Sequence, residues 1–324
     1  MTTTSVPLTE LLAVGAPELW DVELAPDNRY QTRTVTVREV TDAVVATLRA
    51  GFDGLAPDDF PRLIVGWGRC RVGSTAITNL FGMAGISSYY QPVKTIARFV
   101  LSGGEGAPWR LPDGEPVLFA KEMAGPYVPY ECVFNPVQCL IDAGWPAGRL
   151  HLLVLDRDPA ACLDSWMAKW APKIGRDRVV ANFRLSTANY LAMRAFAEQA
   201  GVTTTHFPYE ASRRPEIVVP RLFAGLGVAD RFSPAILTAW GAAGDLNSDS
   251  ARIHYPAEPE AYVVPGLHGN EQEYRFRERE IRELTPQERA VADDPGVRDR
   301  YRESIDLCRA DLDLDDVLGS VLFG

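Results

Sequence analysis

From about residue 61 onward, short apolar runs alternate with stretches in which apolar residues recur at helical spacing. The runs at 63–65, 117–120 and 152–155 are continuously apolar, which predicts strands covered on both faces, and 204–209 predicts a fourth strand. Apolar residues at i, i+3, i+4 spacing predict helices over 76–84 and 163–170. This alternation favours an α/β fold of three layers, with a central parallel sheet and helices on both faces.

The flanking regions have different patterns. Residues 1–60 predict an N-terminal extension packed on the core, with a helix over 40–48, and 61–324 predict one globular unit. The segment 244–270 is rich in Gly, Pro, Asp and Ser, which predicts a long loop that serves as a substrate loop or lid. The charged tail over 271–318 alternates Glu and Arg, which predicts helices with a solvated face.

Composition narrows the class of protein. The chain has 324 residues, of which 46% are hydrophobic and 23% charged, as in ordinary globular proteins. A net charge of −10 argues against a general nucleic-acid binder. No apolar stretch reaches the roughly 18 residues of a membrane span, and no signal peptide is evident, so a cytoplasmic protein without a membrane partner is expected. Five cysteines without a C-x-x-C pair and four scattered histidines argue against a disulfide scaffold or a zinc site.

The first chemical signal follows the strand predicted at 63–65. Residues 68–75 read G-R-C-R-V-G-S-T and lead into a predicted helix, a context in which backbone N–H groups hold an anion. The spacing is that of the Walker loop G-x-x-x-x-G-K-[ST], but Ser74 stands where the lysine would be. That lysine contacts the β- and γ-phosphates of a nucleoside triphosphate, so its absence argues against ATP or GTP hydrolysis. A plain glycine turn before a helix is the other interpretation.

The second signal follows the strand predicted at 152–155. Asp158 is a good N-cap and Pro159 fits the first helical position, so a helix is expected immediately after Arg157. Ser165 lies about two turns along that helix. An arginine at a strand end and a hydroxyl on the next helix can hold a phosphate together. Alternatively, Arg157 forms an ordinary ion pair and Ser165 is an ordinary polar helix residue.

Three segments, taken in order, resemble a known family. They are the loop R-V-G-S-T over 71–75, the R-D-P-x-x-x-x-x-S segment over 157–165, and Tyr209 at the end of a strand with a downstream Leu-Gly. Together they resemble the sulfotransferases that use 3′-phosphoadenosine 5′-phosphosulfate (PAPS), although the family's C-terminal R-K-G loop has no evident copy here. The resemblance spans residues 61–228 and implies a P-loop NTPase-like sulfotransferase core. It implies that PAPS is bound by Arg71, Val72, Gly73, Ser74, Thr75, Arg157, Ser165 and Tyr209.

The resemblance also implies catalytic roles. Sulfuryl transfer is an in-line displacement at sulfur, in which positioning and charge stabilisation do most of the work and no metal is needed. Arg71 would stabilise the bridging oxygen and the 5′-phosphate. Lys121 matches the family's lysine at the end of a strand and would assist the leaving oxygen, and Glu122 beside it would be the base. His268, in a glycine-flanked loop, is the second candidate for the base, although Lys121 and Glu122 can also be a surface ion pair and His268 a solvated loop residue.

The acceptor is expected to be a small molecule with a hydroxyl, such as a specialised metabolite, and an amine is less favoured. Six aromatic residues near the predicted strand ends can line an apolar pocket or simply pack in the core: Tyr89, Tyr90, Trp109, Tyr127, Tyr130 and Trp170. A P-loop small-molecule kinase and a non-catalytic nucleotide-binding protein of the same fold are the alternatives. A homodimer remains open.

Overall fold

Six strands joined by parallel pairings form the middle layer of the molecule. The computed structural model describes residues 7–26, 29–243, 246, 250–263 and 272–314. The strand order is β7-β6-β3-β5-β4-β8, and a separate antiparallel pair joins β1 to β2. In chain order the strands are β1 Glu23–Leu24, β2 Val35–Thr36, β3 Arg62–Arg69, β4 Ser87–Tyr90, β5 Val117–Ala124, β6 Leu150–Asp156, β7 Thr203–Pro208 and β8 Ile253–His254.

Helices flank this sheet, so the predicted α/β fold with a central parallel sheet is confirmed. In chain order they are α1 Leu8–Ala13, α2 Val37–Gly51, α3 Ser74–Met83, α4 Pro92–Leu101, α5 Pro129–Val133, α6 Pro136–Asp142, α7 Pro159–Ile174, α8 Arg176–Gln199, α9 Pro215–Gly225, α10 Ala235–Thr238, α11 Pro286–Ala292 and α12 Pro295–Asp311. Within the described residues, no helix is both long enough and apolar enough to cross a bilayer.

Two neighbouring residues of β3 show how the faces of the sheet are covered. Successive residues of a strand point to opposite faces. Trp67 packs on Tyr190 of α8, with ring centroids 4.8 Å apart. On the other face, a Cβ at Gly66 would lie 2.6 Å from the ring of Phe119, which stacks on Phe81 of α3. Both faces of β3 are therefore buried, which explains its continuous apolar sequence.

The predicted strands and the helices at 40–48, 76–84 and 163–170 coincide with observed elements, shifted by a few residues. The helical prediction for 271–318 is wrong for 272–285, which is irregular, and residues 315–318 lie outside the described part. Helices α11 and α12 begin only after the capping residues Thr285 and Asp294, each followed by proline.

The two flanking regions contact the core in different ways. Helix α2, from the predicted N-terminal extension, packs against α4 and α6. Within the predicted loop 244–270, the described stretch 250–263 contributes β8, which pairs with β4 at the edge of the sheet. Residues 244–245, 247–249 and 264–270 lie outside the described residues, so the prediction of a lid there stays a prediction.

Candidate functional site

A sharp turn connects β3 to α3 at residues 70–73. Arg71 and Gly73 both have left-handed backbone conformations, with φ of +71° and +80°. Gly73 is the N-cap residue of α3, and no side chain caps that helix. The N–H groups of its first turn have no intrahelical acceptors and are available to an anion. A Cβ at Gly73 would lie 2.5 Å from the ring of Tyr209, so this position needs glycine for its conformation and for space.

The three segments identified in the sequence meet at this turn. Arg71 Nε donates a 2.9 Å hydrogen bond to Ser165 Oγ on α7. Arg157, which follows β6, donates from Nη1 to the carbonyl oxygen of Arg71 at 3.1 Å. Its guanidinium lies 4.8 Å from the centroid of the Tyr209 ring, which follows β7. Because the sheet is parallel, the carboxyl ends of β3, β6 and β7 share one edge, the usual place for ligands in α/β proteins.

A cavity of about 610 Å³ opens at this edge. Among the described residues that line it, arginine and lysine outnumber carboxylates by seven to two. The residues predicted to bind or act on the donor that line this cavity are Arg71, Gly73, Ser74, Thr75, Lys121, Arg157 and Tyr209. Val72 is instead buried in the core, and Ser165 accepts a hydrogen bond from Arg71.

Two cations of the cavity, Arg71 and Lys121, have a lowered pKa. The pKa of Arg71 is lowered by burial and by repulsion from Arg157 and Arg279. Burial also lowers the pKa of Lys121 well below its ordinary value, and repulsion from Lys94 and other cations adds to this effect. A bound anion would stabilise the charged form of each group and raise its pKa again. The cavity therefore has the electrostatics of an anion site.

Lys121 occupies the floor of the cavity near the start of α3. Its Nζ lies 3.5 Å from the centroid of the Tyr90 ring, a cation–π contact. The Tyr90 hydroxyl lies 2.7 Å from Oγ1 of Thr75 in the phosphate-loop sequence. Lys121 and Glu122 are both buried, and within the described part of the chain no carboxylate pairs with Lys121, so the alternative interpretation as a surface ion pair is wrong.

Glu122 points away from the cavity. Its two carboxylate oxygens accept hydrogen bonds of 2.7 and 3.1 Å from the backbone N–H groups of Val93 and Lys94, at the start of α4. The side chain is completely buried, and burial raises its pKa to about 8, against the effect of those N–H donors. Lys121 and Glu122 are consecutive in β5 and so face opposite sides of the sheet. Glu122 is thus a helix-capping carboxylate and not the base facing the cavity, and His268, the second candidate, lies outside the described residues.

Three arginines that the sequence pattern did not identify also line the cavity. Arg275, Arg277 and Arg279 come from the irregular stretch that follows residue 271. The backbone N–H of Arg277 donates a 2.9 Å hydrogen bond to the hydroxyl of Tyr209, which ties this stretch to the site. The alternation of arginine with other residues has a period of two, which is typical of extended chain and could have argued against a helix.

Aromatic side chains form another part of the lining, the aromatic wall. Of the six aromatic residues considered from the sequence, Tyr90, Tyr127 and Trp170 line the cavity, and Tyr255 and Tyr262 join them. The other three pack elsewhere: Tyr89 and Trp109 lie against each other, and Tyr130 is buried with its hydroxyl 3.1 Å from Thr41 Oγ1.

A buried ionic cluster fixes the backbone beside Arg157. Asp156, at the end of β6, bonds Arg69 of β3 at 2.8 Å and Arg300 of α12 at 2.7 Å. It also accepts a 2.8 Å hydrogen bond from the backbone N–H of Arg157. Burial would raise the pKa of Asp156, but Arg300 and Arg69 outweigh it and hold the pKa below its ordinary value. The carboxylate therefore stays charged and links three elements next to the site.

Comparison with protein-family models, with curated proteins and with solved structures finds no match to this chain. A functional assignment therefore depends on the residues of the chain and on the positions of their side chains.

Proposed function

We propose that the protein is a sulfotransferase that moves a sulfuryl group from PAPS to the hydroxyl of a small-molecule acceptor. One observation carries the proposal. The loop, Arg157 and Tyr209, which resemble the family in three separate segments, line one cationic cavity, and Ser165 is hydrogen-bonded to Arg71 of the loop. The parallel sheet already places the ends of β3, β6 and β7 at one edge, so the support comes from the direct contacts among these side chains and the excess of cations around them.

The turn before α3 supports binding of the 5′-phosphosulfate. Its helix start supplies uncapped N–H groups, and Ser74 and Thr75 stand in the first turn. Arg71 supplies a positive charge within the turn, and Lys121 adds a second from β5. In the proposed role, Arg71 and Lys121 stabilise the charge that develops on the bridging oxygen as it leaves, while the donor supplies the electrophilic sulfur.

A second group of cations supports binding of the 3′-phosphate. Arg157 Nε is buried and has no hydrogen-bond partner among the described residues. A buried donor without a partner is costly, so a ligand oxygen at this position would stabilise the site. Arg277 and Arg279 approach the same cavity from the chain beyond Tyr209. The Arg71–Ser165 hydrogen bond joins the two proposed phosphate sites through α7.

The donor set fits sulfuryl transfer better than phosphoryl transfer from a nucleoside triphosphate. The loop carries Ser74 in place of the lysine that contacts β- and γ-phosphates. Among the described residues, the carboxylates that line the cavity are Glu258 and Glu273, and each pairs with an arginine. Arginine already neutralises both carboxylates in the described part of the cavity, and cations outnumber them, which disfavours a magnesium ion beside the loop.

The aromatic wall supports an apolar, planar acceptor. Tyr127 and Tyr262 meet edge to face at 5.4 Å, and Tyr127 also meets Trp170 at 6.5 Å. Rigid aromatic surfaces of this kind favour flat ligands. A phenol or a hydroxylated aromatic metabolite is the acceptor class we propose.

Ligand-dependent thermal stabilisation tests the donor. Adenosine 3′,5′-bisphosphate is expected to raise the melting temperature, because a ligand that binds only the native state stabilises it. ATP or GTP with magnesium is expected to leave the melting temperature unchanged. Incubation with PAPS and a panel of phenols, alcohols, sugars and amines, followed by mass spectrometry, is expected to show a sulfuryl gain on phenols. Stabilisation by ATP with magnesium and not by the bisphosphate would contradict the proposal.

A further inference from the structure

A carboxylate that the sequence pattern did not identify faces the cavity. Glu258 follows β8, and its side chain lines the cavity together with Lys121. Both of its oxygens lie close to Nη1 of Arg98 on α4, at 2.6 and 2.5 Å, and a fifth of the side chain is exposed. It stands beside the aromatic wall, because the same Arg98 guanidinium lies 4.6 Å from the Tyr262 ring centroid.

The other carboxylates near the site are not placed to receive a proton from a bound acceptor. Glu122 is completely buried on the opposite face of the sheet from Lys121, where it accepts hydrogen bonds from the start of α4. Glu131 is completely buried behind the cavity, where it accepts from Arg98 Nε at 2.7 Å. Glu273 pairs with Arg275 and its side chain is 44% exposed, among the arginines that we assign to the donor. Of the carboxylates in the described residues that line the cavity, Glu258 alone adjoins the aromatic wall.

The partners of Arg98 allow Glu258 to change its charge. Arg98 binds two carboxylates, Glu258 through Nη1 and Glu131 through Nε. If Glu258 took up a proton, Arg98 would keep its ion pair with Glu131 and stay in place. A buried arginine without a carboxylate partner is strongly destabilising, and the ion pair with Glu131 prevents that. Glu131 is thus a positioning residue for the pair.

We propose that Glu258 is the proton acceptor of the transfer reaction, an inference that rests on the proposed function. The acceptor's oxygen forms a bond to sulfur as the bond from sulfur to the bridging oxygen of the 5′-phosphate breaks. The hydroxyl proton goes to a carboxylate oxygen of Glu258, and adenosine 3′,5′-bisphosphate leaves with the bond's electron pair. Arg71 and Lys121 stabilise the negative charge on the leaving phosphate oxygen, and Glu258 accepts the proton of the acceptor hydroxyl.

The test compares acceptors that differ in their need for a base. Glu258→Gln keeps the shape of the side chain and an oxygen for Arg98 but removes its basicity. With 2-naphthol, a phenol that is still protonated at about pH 8, turnover is expected to fall about a hundredfold or more. With p-nitrophenol, which is largely ionised at that pH, turnover is expected to change little. Glu260→Gln, an exposed position on the same segment, is the control and should turn over both phenols like wild type.

The outcomes separate the inference from the proposed function. An equal loss with both phenols would show a structural role for Glu258 and overturn the inference, as would an unchanged rate with 2-naphthol. The thermal shift that adenosine 3′,5′-bisphosphate produces in Glu258→Gln should equal that of wild type, which would show that the donor-binding site is unchanged. Failure of the wild-type chain to bind the bisphosphate would instead overturn the proposed function.

Discussion

Arg71 Nε lies 2.9 Å from Ser165 Oγ, although the two residues are 94 positions apart in the chain. The first belongs to the turn before α3 and the second to α7, which follows a different strand of the sheet. Their contact makes one structural unit of two sequence patterns, each of which has an unremarkable explanation on its own.

Arg71→Ala is expected to weaken binding of adenosine 3′,5′-bisphosphate about tenfold to a hundredfold, because a hydrogen bond to a charged group contributes roughly 1.5–3 kcal/mol. Isothermal titration calorimetry measures the affinity, and the melting temperature of the free protein should change little. Arg302→Ala, which removes an exposed arginine paired with Asp299, is the matched control and should bind like wild type. Wild-type affinity in Arg71→Ala would exclude a role for this side chain in binding.

Two glycines separate conformational strain from steric conflict. Gly54 and Gly73 have nearly the same φ angle, +84° and +80°, but a Cβ at Gly54 would have no atom within 4 Å. Gly54→Ala is expected to cost only the strain of a left-handed alanine, about 1–2 kcal/mol in unfolding free energy. Gly73→Ala should cost more and also abolish bisphosphate binding, because it displaces Tyr209. Denaturant titration and calorimetry check both effects, and intact binding in Gly73→Ala would refute the close packing described for this turn.

Binding of the bisphosphate is expected to be coupled to protonation of Lys121. Burial and neighbouring cations lower its pKa in the free protein, and a bound anion would raise it again. A pKa that rises on binding means proton uptake, so affinity should fall as pH increases above about 7.5, where the phosphates are already almost fully ionised. Calorimetry in buffers of different ionisation enthalpy measures the uptake. Lys121→Arg, which stays charged, should bind without it, and proton uptake that persists in this variant would assign the effect to another group.

His151 is expected to make folding pH-dependent. Burial, with a smaller contribution from Arg62, lowers its pKa to about 4, below the value of about 6.5 for an unfolded chain. The unfolded state therefore binds the proton more readily, and stability is lost as pH falls from about 6.5 towards 4. Between pH 7.5 and 5 this group should contribute a loss of about 2 kcal/mol in the free energy of unfolding. Urea titrations at the two pH values should show that His151→Gln loses about 2 kcal/mol less unfolding free energy than wild type. An equal loss in both proteins would show that His151 does not titrate in this way.

Much of the sheet could be predicted from the sequence because its central strands are buried on both faces. Strand β6 is buried at all seven positions, and only apolar side chains, apart from His151 and Asp156, fill them. The short strand β4, with the sequence S-S-Y-Y, carries no comparable apolar signal. Its place depends on pairing with β5 and β8, which are distant in the chain.

The assignment of Glu122 illustrates how strand boundaries decide function. The apolar run ends at Ala120, which suggested that residues 121 and 122 both follow the strand. In the structure β5 continues to Ala124, so the alternation of faces still applies and separates Lys121 from Glu122. Lys121 reaches the cavity and Glu122 caps α4. Glu122 is a polar residue within a strand, and contacts with a helix hold it there. Such a residue gives no local sequence pattern to show that the strand continues.

Glu258 and the arginines after residue 271 could not be assigned from local patterns for a different reason. Both stand in irregular chain whose path is set by contacts with other elements, such as the hydrogen bond from Arg277 N–H to Tyr209. A proline-rich segment and a run of alternating charges are compatible with many conformations. Only the folded chain brings them to the carboxyl edge of the sheet.

The Asp156 cluster has a consequence for how the protein is made. Asp156 is neutralised by Arg69, which is synthesised before it, and by Arg300, which is synthesised 144 residues after it. While the chain emerges from the ribosome, the turn and the strand that carry Arg71 and Arg157 can form early. Their backbone support stays incomplete until α12 has left the exit tunnel. A nascent chain that stalls before residue 300 would leave Asp156 without its second arginine, so the site is expected to reach its final geometry only after α12 has been synthesised.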